Sequence, residues 1–232
     1  MPVPPTFKMT TLLIIFAKEP LPGQVKTRLC PPLSPEAAAR LYRSFLEDIL
    51  EEVGRLPELH LALAYSPGSA HPFFQGLAPP GTLLIPQSGA DLGERMARAF
   101  AWGFSSGFDA VLIRGSDSPD LPGAVLLEVK SVLTAGRAEV AMGPCPDGGY
   151  YLVGLRAPHP ELFQGMAWSN DTVLTEALTL ARQSSLAVHL LPSWPDIDIY
   201  ADLLTFLARP HPAPLPGWRS HLTARELIHP LP

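Results

Sequence analysis

The stretch Asp109-Ala-Val-Leu-Ile-Arg-Gly-Ser-Asp-Ser-Pro-Asp-Leu-Pro122 decides how the rest of the chain is read. Val111, Leu112 and Ile113 form a short continuous apolar run, the pattern of a strand buried on both faces of a parallel sheet. A polar loop, 115–120, ends the run, and Pro122 opens a helical segment. Asp117 and Asp120 are thereby delivered to the carboxyl end of a buried strand, where open α/β sheets place their ligands. Gly115, Ser116 and Ser118 are small enough to leave room beside Asp117 for a hydrated cation or phosphate oxygens. Asp also caps helices and turns chains, so the stretch alone leaves both readings open.

On either side of it, strand and helix patterns alternate. Residues 11–17 read as a first buried strand, followed by a long loop, 18–33, rich in proline. Ser34-Pro35-Glu36 then opens a helix with a capping hydroxyl, Pro at its first position and an acid in its first turn. Leu41, Phe45, Leu46, Ile49, Leu50 and Val53 keep helical spacing up to Gly54. Further strands are predicted at 59–65, 82–85, 140–142, 150–155 and 186–191. Helices are predicted at 91–105, 123–135, 172–182 and 199–208, with a short element at Phe73-Phe74. This alternation argues for an α/β chain with a largely parallel sheet and helices on both faces. Residues 1–10 read as a loose N-terminal extension, 11–208 as one domain, and 209–232 as an irregular, Pro-rich tail.

Composition narrows the function. Across 232 residues, 47% hydrophobic and 17% charged is a globular balance. A formal charge of −5 gives no basic footprint for nucleic acid. No apolar run reaches the ~18–20 residues that span a membrane. The two cysteines, Cys30 and Cys145, are too few for a disulfide framework and suit a reducing cytoplasm. Both read as small buried or loop residues rather than nucleophiles. No His-x-x-x-His, Cys-x-x-Cys or Gly-x-Ser-x-Gly spacing occurs, which removes the zinc and serine-hydrolase readings.

Five segments carry candidate chemistry. The loop after the first strand brings Lys18, Gly23, Lys26 and Arg28 together, and small bulk beside cations suits a polyphosphate. Its spacing is neither a P-loop nor a dinucleotide fingerprint. Trp194-Pro195-Asp196-Ile197-Asp198 offers an Asp-x-Asp pair suited to Mg²⁺ or Mn²⁺, or to capping the last helix. Asp147-Gly148-Gly149-Tyr150 is first a hairpin signal. Gln87-Ser88-Gly89-Ala90-Asp91-Leu92-Gly93 enters a helix, whose N-terminus can meet anions or ribose hydroxyls, although Asp91 is also a good cap. Trp168-Ser169-Asn170-Asp171 sets an aromatic beside polar groups, fit to stack on a sugar or base or simply to start a helix.

Together these segments resemble the glycosyltransferase-A (nucleotide-diphospho-sugar transferase) superfamily, and more narrowly its radical-SAM/selenodomain-associated transferase branch. The match rests on Phe16-Ala17-Lys18-x-Pro20-x-Pro22-Gly23-x-Val25-Lys26-Thr27-Arg28-Leu29, Asp91-Leu92-Gly93-Glu94-Arg95-Met96, Gly115-Ser116-Asp117-Ser118-Pro119-Asp120-Leu121, Asp147-Gly148-Gly149-Tyr150-Tyr151 and Trp168-Ser169. More distantly the chain is similar to 2-phospholactate and molybdenum-cofactor guanylyltransferases. The resemblance implies a single-domain three-layer α/β/α sandwich with a mostly parallel mixed sheet, and one nucleotide site at the strand ends. It also implies a divalent metal on Asp117, with the late Asp196/Asp198 segment completing the site.

The reading that follows is a cytoplasmic, Mg²⁺- or Mn²⁺-dependent transferase using an activated nucleotide, most simply a glycosyltransferase acting on a small-molecule acceptor. A pyrophosphate-releasing nucleotidyltransferase is the alternative, and a non-catalytic nucleotide-binding module the third. Lys18, Gly23, Lys26 and Arg28 are expected on the diphosphate, with Lys26 and Arg28 serving catalysis. Gln87, Gly89, Asp91 and Gly93 are expected around the base or ribose. Asp117, Asp198 and Asp196 are the expected metal ligands. Asp147 is expected to orient or deprotonate the acceptor, whose pocket Gly148, Gly149, Tyr150, Trp168 and Ser169 would shape.

Overall fold

The computed structural model describes residues 9–168, 170–209 and 218–228. Seven strands form one sheet: β1 (Thr11–Lys18), β2 (His60–Ser66), β3 (Leu83–Pro86), β4 (Ala110–Arg114), β5 (Val140–Pro144), β6 (Tyr150–Leu155) and β7 (Val188–Leu190). They lie in the order β3-β2-β1-β4-β6-β5-β7. All neighbours are parallel except where β6 runs against β4 and β5. The sheet is therefore mixed and mostly parallel, as expected.

Strand residues alternate between two cores. In β1 and β4, which pair with Leu13 opposite Leu112, Leu13, Ile15 and Leu112 face one core while Leu12, Ile14, Val111 and Ile113 face the other. Burial on both faces explains why these strands are apolar throughout. The first core is covered by α1 (Pro35–Gly54), α4 (Gly123–Thr134), α6 (Tyr200–Ala208) and α7 (Arg219–Ile228), with the short α2 (His71–Leu77) beside them. The second lies under α3 (Leu92–Ser105) and α5 (Val173–Gln183). The result is the expected three-layer α/β/α sandwich. Among the described residues no helix is long and apolar enough to cross a membrane.

Local chemistry sets the helix starts. Ser34 accepts the Ala37 N–H at 3.2 Å ahead of α1. Asp91 accepts the Glu94 N–H at 2.8 Å ahead of α3, and Glu94 returns a bond from the Ala90 N–H at 2.7 Å. Gly103 lets α3 approach β4, since a Cβ there would stand 2.8 Å from a Val111 methyl.

Where the ends are described they hold more structure than their sequence suggested. Thr10 is tied down, its N–H and hydroxyl both bonded to Asp109 Oδ2 at 2.7 and 3.0 Å; residues 1–8 lie outside the described residues. The tail is not irregular throughout, because 219–228 is α7, which packs on α1. Asp48 of α1 supplies that helix's missing cap, accepting the Arg219 and Ser220 N–H groups at 3.1 and 2.7 Å. Residues 210–217 and 229–232 lie outside the described residues. The last strand is also shorter than its apolar pattern suggested, 188–190 rather than 186–191.

Candidate active site

The carboxyl ends of β1, β3 and β4 meet the start of the reversed β6 at one rim, around a cleft of about 670 Å³. The loop leaving β1 is anchored by buried Val25 and Leu29. Between them Lys26 adopts a left-handed conformation, φ 48 and ψ 36. That turn aims its side chain inward, where it is 5% exposed.

The acidic loop after β4 is held from below. Arg114 is fully buried and donates to the Gly115 carbonyl at 3.1 Å and to the Ser118 carbonyl at 2.7 Å. Burial pulls its guanidinium down to about 10, against the opposing pull of Asp196 and Asp120. A main-chain bond from Ile197 N–H to the Asp117 carbonyl, at 2.9 Å, draws the Asp-x-Asp segment onto this loop. As a consequence Asp117 and Asp198 face one another across a single cation. Lys26 Nζ lies 2.5 Å from Asp117 Oδ1, 2.8 Å from Asp198 Oδ1 and 2.7 Å from the Ile197 carbonyl. Burial lowers the ammonium's proton affinity, but the two carboxylates more than reverse this and leave it above its ordinary value. Burial would raise Asp198, yet Lys26 and Arg28 hold it below the usual carboxylate range.

Asp196 turns the other way. It accepts bonds from the Ser118 hydroxyl and from Cys145 Sγ, the latter at 3.3 Å. Burial, then the charge of Asp117, push it up to about 6. Burial and Asp196 likewise push the Cys145 thiol far up, so it is no thiolate nucleophile. Asp120 is structural: the Trp194 indole donates to it at 3.0 Å, and Arg209 pairs with it.

Several predicted residues line the cleft together: Lys18, Lys26, Arg28, Gln87, Asp117, Asp196, Asp198 and Tyr150. Arg28 is 70% exposed, with Nη1 3.8 Å from Asp198 Oδ2. Gln87 spends its amide N–H groups on the Ala64 and Ala17 carbonyls, at 2.7 and 3.3 Å. Because both partners are acceptors, the amide orientation is fixed and Oε1 remains for a ligand.

Others stand apart from the cleft wall. Gly23 sits on the exposed bend of the basic loop with φ +74. Gly89, at φ +144, presses on the main chain of Arg95, and Asp91 is the α3 cap. Gly93 is a packing glycine: a Cβ would stand 2.4 Å from the Phe163 carbonyl and 2.6 Å from the Trp168 ring. Trp168 is thereby part of the α3 packing. The Gly-Gly hairpin between β5 and β6 forms as read, with Gly148 (φ +91) seated on the Asp171 carbonyl and Gly149 donating to Asp147 Oδ1 at 3.1 Å. Asp147 is exposed on that turn, ahead of cleft-lining Tyr150. Ser169 lies outside the described residues.

Sequence reasoning missed three site residues. Tyr42 of α1 touches Ser116 and Lys18; a polar atom inside that helix's apolar stripe was the signal. Arg114 was visible as the charge closing the β4 apolar run, and it is buried with the rest of that strand. Arg95 lines the cleft and donates to the Gly89 carbonyl at 3.2 Å. It forms no ion pair among the described residues, whereas Arg98 one turn on is paired with Glu94.

The donor set suits the implied metal in part. Asp117 and Asp198 are hard oxygen ligands converging on one point, and Mg²⁺ is commonly held by one or two carboxylates plus substrate phosphates. Asp196 does not join them, and the described residues contain no cluster of three or more ligating side chains.

A family profile described as "Uncharacterized protein conserved in bacteria (DUF2064)" matches residues 49–170. Among solved structures, a candidate nucleotide-diphospho-sugar transferase from Desulfovibrio desulfuricans G20 is 33% identical, with a TM-score of 0.85 over 94% of this chain and 95% of that one. A 4-diphosphocytidyl-2C-methyl-D-erythritol synthase from Anaerococcus prevotii DSM 20548 shares the fold at 12% identity, TM-score 0.58, over 87% of this chain and 97% of that one. A cytidylyltransferase from Leptospira borgpetersenii does so at 13% identity, TM-score 0.56, over 95% and 94%. A search of curated proteins gave no match.

Proposed function

This chain belongs to the DUF2064 family, and we propose that it is a nucleotide-utilising transferase that moves a glycosyl group from a nucleotide-diphospho-sugar to a small-molecule acceptor. One observation carries the reading: Asp117 and Asp198, 81 positions apart in sequence, face each other beside the basic β1 loop inside a single cleft. The 33% identical relative, described as a nucleotide-diphospho-sugar transferase candidate, supports the donor class.

In this reading Lys18 and Arg28 bind the donor's phosphates from the exposed side of the loop. Gln87 Oε1 and the Arg95 guanidinium, on the β3 side, meet the nucleoside. Asp117 and Asp198 would hold Mg²⁺ or Mn²⁺, which offsets charge on the departing diphosphate when bound. Tyr150 lines the cleft at the proposed acceptor end, and Asp147, on the hairpin turn just before it, would orient or deprotonate the acceptor. Arg114 and Tyr42 keep the acidic loop in register with the basic one.

Purified protein incubated with Mn²⁺ and nucleotide sugars, or nucleoside triphosphates, tests the reading. Release of nucleoside diphosphate is the expected outcome. Release of pyrophosphate would make the chain a nucleotidyltransferase, and metal-dependent nucleotide binding with no turnover on any acceptor a binding module. Asp147→Asn is expected to slow turnover while leaving nucleotide affinity nearly intact; loss of nucleotide binding would remove Asp147 from the acceptor role.

A further inference from the structure

A lysine ammonium has three protons to donate. In this protein Lys26 donates to Asp198 Oδ1 (2.8 Å) and to the Ile197 carbonyl (2.7 Å), and its ammonium is ion-paired with Asp117 Oδ1 at 2.5 Å. The Phe45 ring lies 6.0 Å behind the ammonium, on the core side. The carboxylates are differently placed: Asp117 and Asp198 keep 39% and 37% of their side chains exposed, against 5% for Lys26. The cation thus sits behind and between two acids that face open space. In this arrangement Lys26 is engaged on three sides by the chain itself, and the point on which both acids converge is filled.

The charges explain why such a plug is stable. Asp117, Asp198 and the neighbouring Asp196 are balanced by Lys26, by buried Arg114 and by Arg28, whose guanidinium stands 3.8 Å from Asp198. The resting site is therefore close to neutral. A divalent ion added to it creates excess positive charge, which a diphosphate would cancel.

We propose that Lys26 is the resident, exchangeable counter-ion of the acid pair: a divalent cation bridging Asp117 and Asp198 takes its place, and the freed ammonium turns into the cleft to bind phosphate. This rests on the transferase reading above. The main chain of Lys26 is fixed between buried Val25 and Leu29, so the exchange is a side-chain rotation about a stationary anchor. It couples the two ligands, because each supplies what the other's arrival leaves uncompensated. In the wild type, metal alone should then bind weakly, and metal with a nucleoside diphosphate strongly.

Mn²⁺ titration of the full chain by electron paramagnetic resonance, without nucleotide, tests this. Lys26→Met keeps the stem and removes the charge. A unit charge at contact distance is worth more than a tenfold change in a divalent ion's affinity even at an effective dielectric of about 20. Lys26→Met should therefore bind Mn²⁺ at least about tenfold more tightly than wild type, and adding Asp117→Asn should abolish the gain. Equal affinity, weaker affinity or no Mn²⁺ binding by either protein would overturn the proposal.

If Lys26→Met does not fold, the ammonium resonances of ¹⁵N-lysine-labelled wild type decide. The Lys26 signal should shift or vanish on addition of Mg²⁺ and a nucleoside diphosphate; persistence unchanged overturns the exchange. Release of nucleoside diphosphate from nucleotide sugars with Mn²⁺ and acceptors probes the wider transferase reading separately, because turnover does not depend on where Lys26 rests before the metal binds, so either idea can fail without the other.

Discussion

The Tyr42 hydroxyl lies 2.6 Å from Ser116 Oγ and accepts the Lys18 N–H at 3.1 Å, joining the end of β1 to the acidic loop through one buried oxygen. Burial, then the charge of Asp117, push the phenol up to about 12, so it stays protonated at neutral pH. It is the fixed point between the cleft's basic and acidic loops.

Tyr42→Phe leaves the Lys18 N–H and the Ser116 hydroxyl without that partner. A buried polar group left unsatisfied costs about 1–3 kcal/mol. Urea unfolding should show a loss of that size. Mn²⁺ affinity should fall as well, because Ser116 precedes Asp117. Unchanged stability and unchanged affinity together would show that the bond positions nothing.

Arg95 is the ligand-facing cleft cation among the residues that sequence reasoning passed over. Arg95→Met preserves the stem that packs along α3 and removes the fork of donors. We expect about tenfold weaker nucleotide binding, equivalent to about 1.4 kcal/mol, with an unchanged melting temperature. Calorimetry on the variant reads both quantities. Wild-type nucleotide affinity would assign Arg95 to the surface.

Gly93 separates packing from ligand binding. Gly93→Ala places a methyl against the Phe163 carbonyl, which cannot move aside as a flexible side chain could. Overpacking of this kind costs about 1–3 kcal/mol. Denaturation should show that loss. Nucleotide affinity, measured where the variant is still folded, should stay close to wild type, in contrast to what the glycine's place in the motif suggests.

Asp48 sets a pH dependence at the far helix. Burial raises its carboxyl above the ordinary value, outweighing the bonds from Ser220 and Arg219 that pull it down. A raised folded-state value means that the folded chain holds this proton more tightly than the unfolded one. The stabilising contribution is thus fullest at low pH and is lost as pH rises from about 4, the unfolded Asp value, through the folded value. Asp48→Asn cannot titrate. The melting-temperature advantage of wild type over this variant should be larger at pH 4 than at pH 7; the opposite trend would refute the sign.

Much of this was legible in the chain. Apolar runs such as Val111–Ile113 betray strands covered on both sides, and Ser34-Pro35 and Asp91 mark helix starts by chemistry that acts within four residues. What escaped was set by distant partners. The α7 helix fully buries only Ser220 and Ala224 and depends on a carboxylate more than 170 positions earlier, so its own pattern was weak. Asp117, Asp198 and Lys26 were each recognisable as site residues, but their spacing could not show that the lysine would sit between the acids. Asp91 and Gly93 illustrate the converse: their place in a recognised motif suggested ligand contact, while the fold employs them as cap and packing.

The reversal of β6 has a consequence for manipulating this protein. By entering the sheet backwards between β4 and β5, it gathers the chemistry-bearing ends of strands at one rim and leaves the opposite rim with bare connections. Ser106 lies exposed on one of them, beside Gly107, whose φ of +90 is best left to glycine. Labels, affinity handles or inserted domains belong there, at a site where grafting should leave turnover untouched.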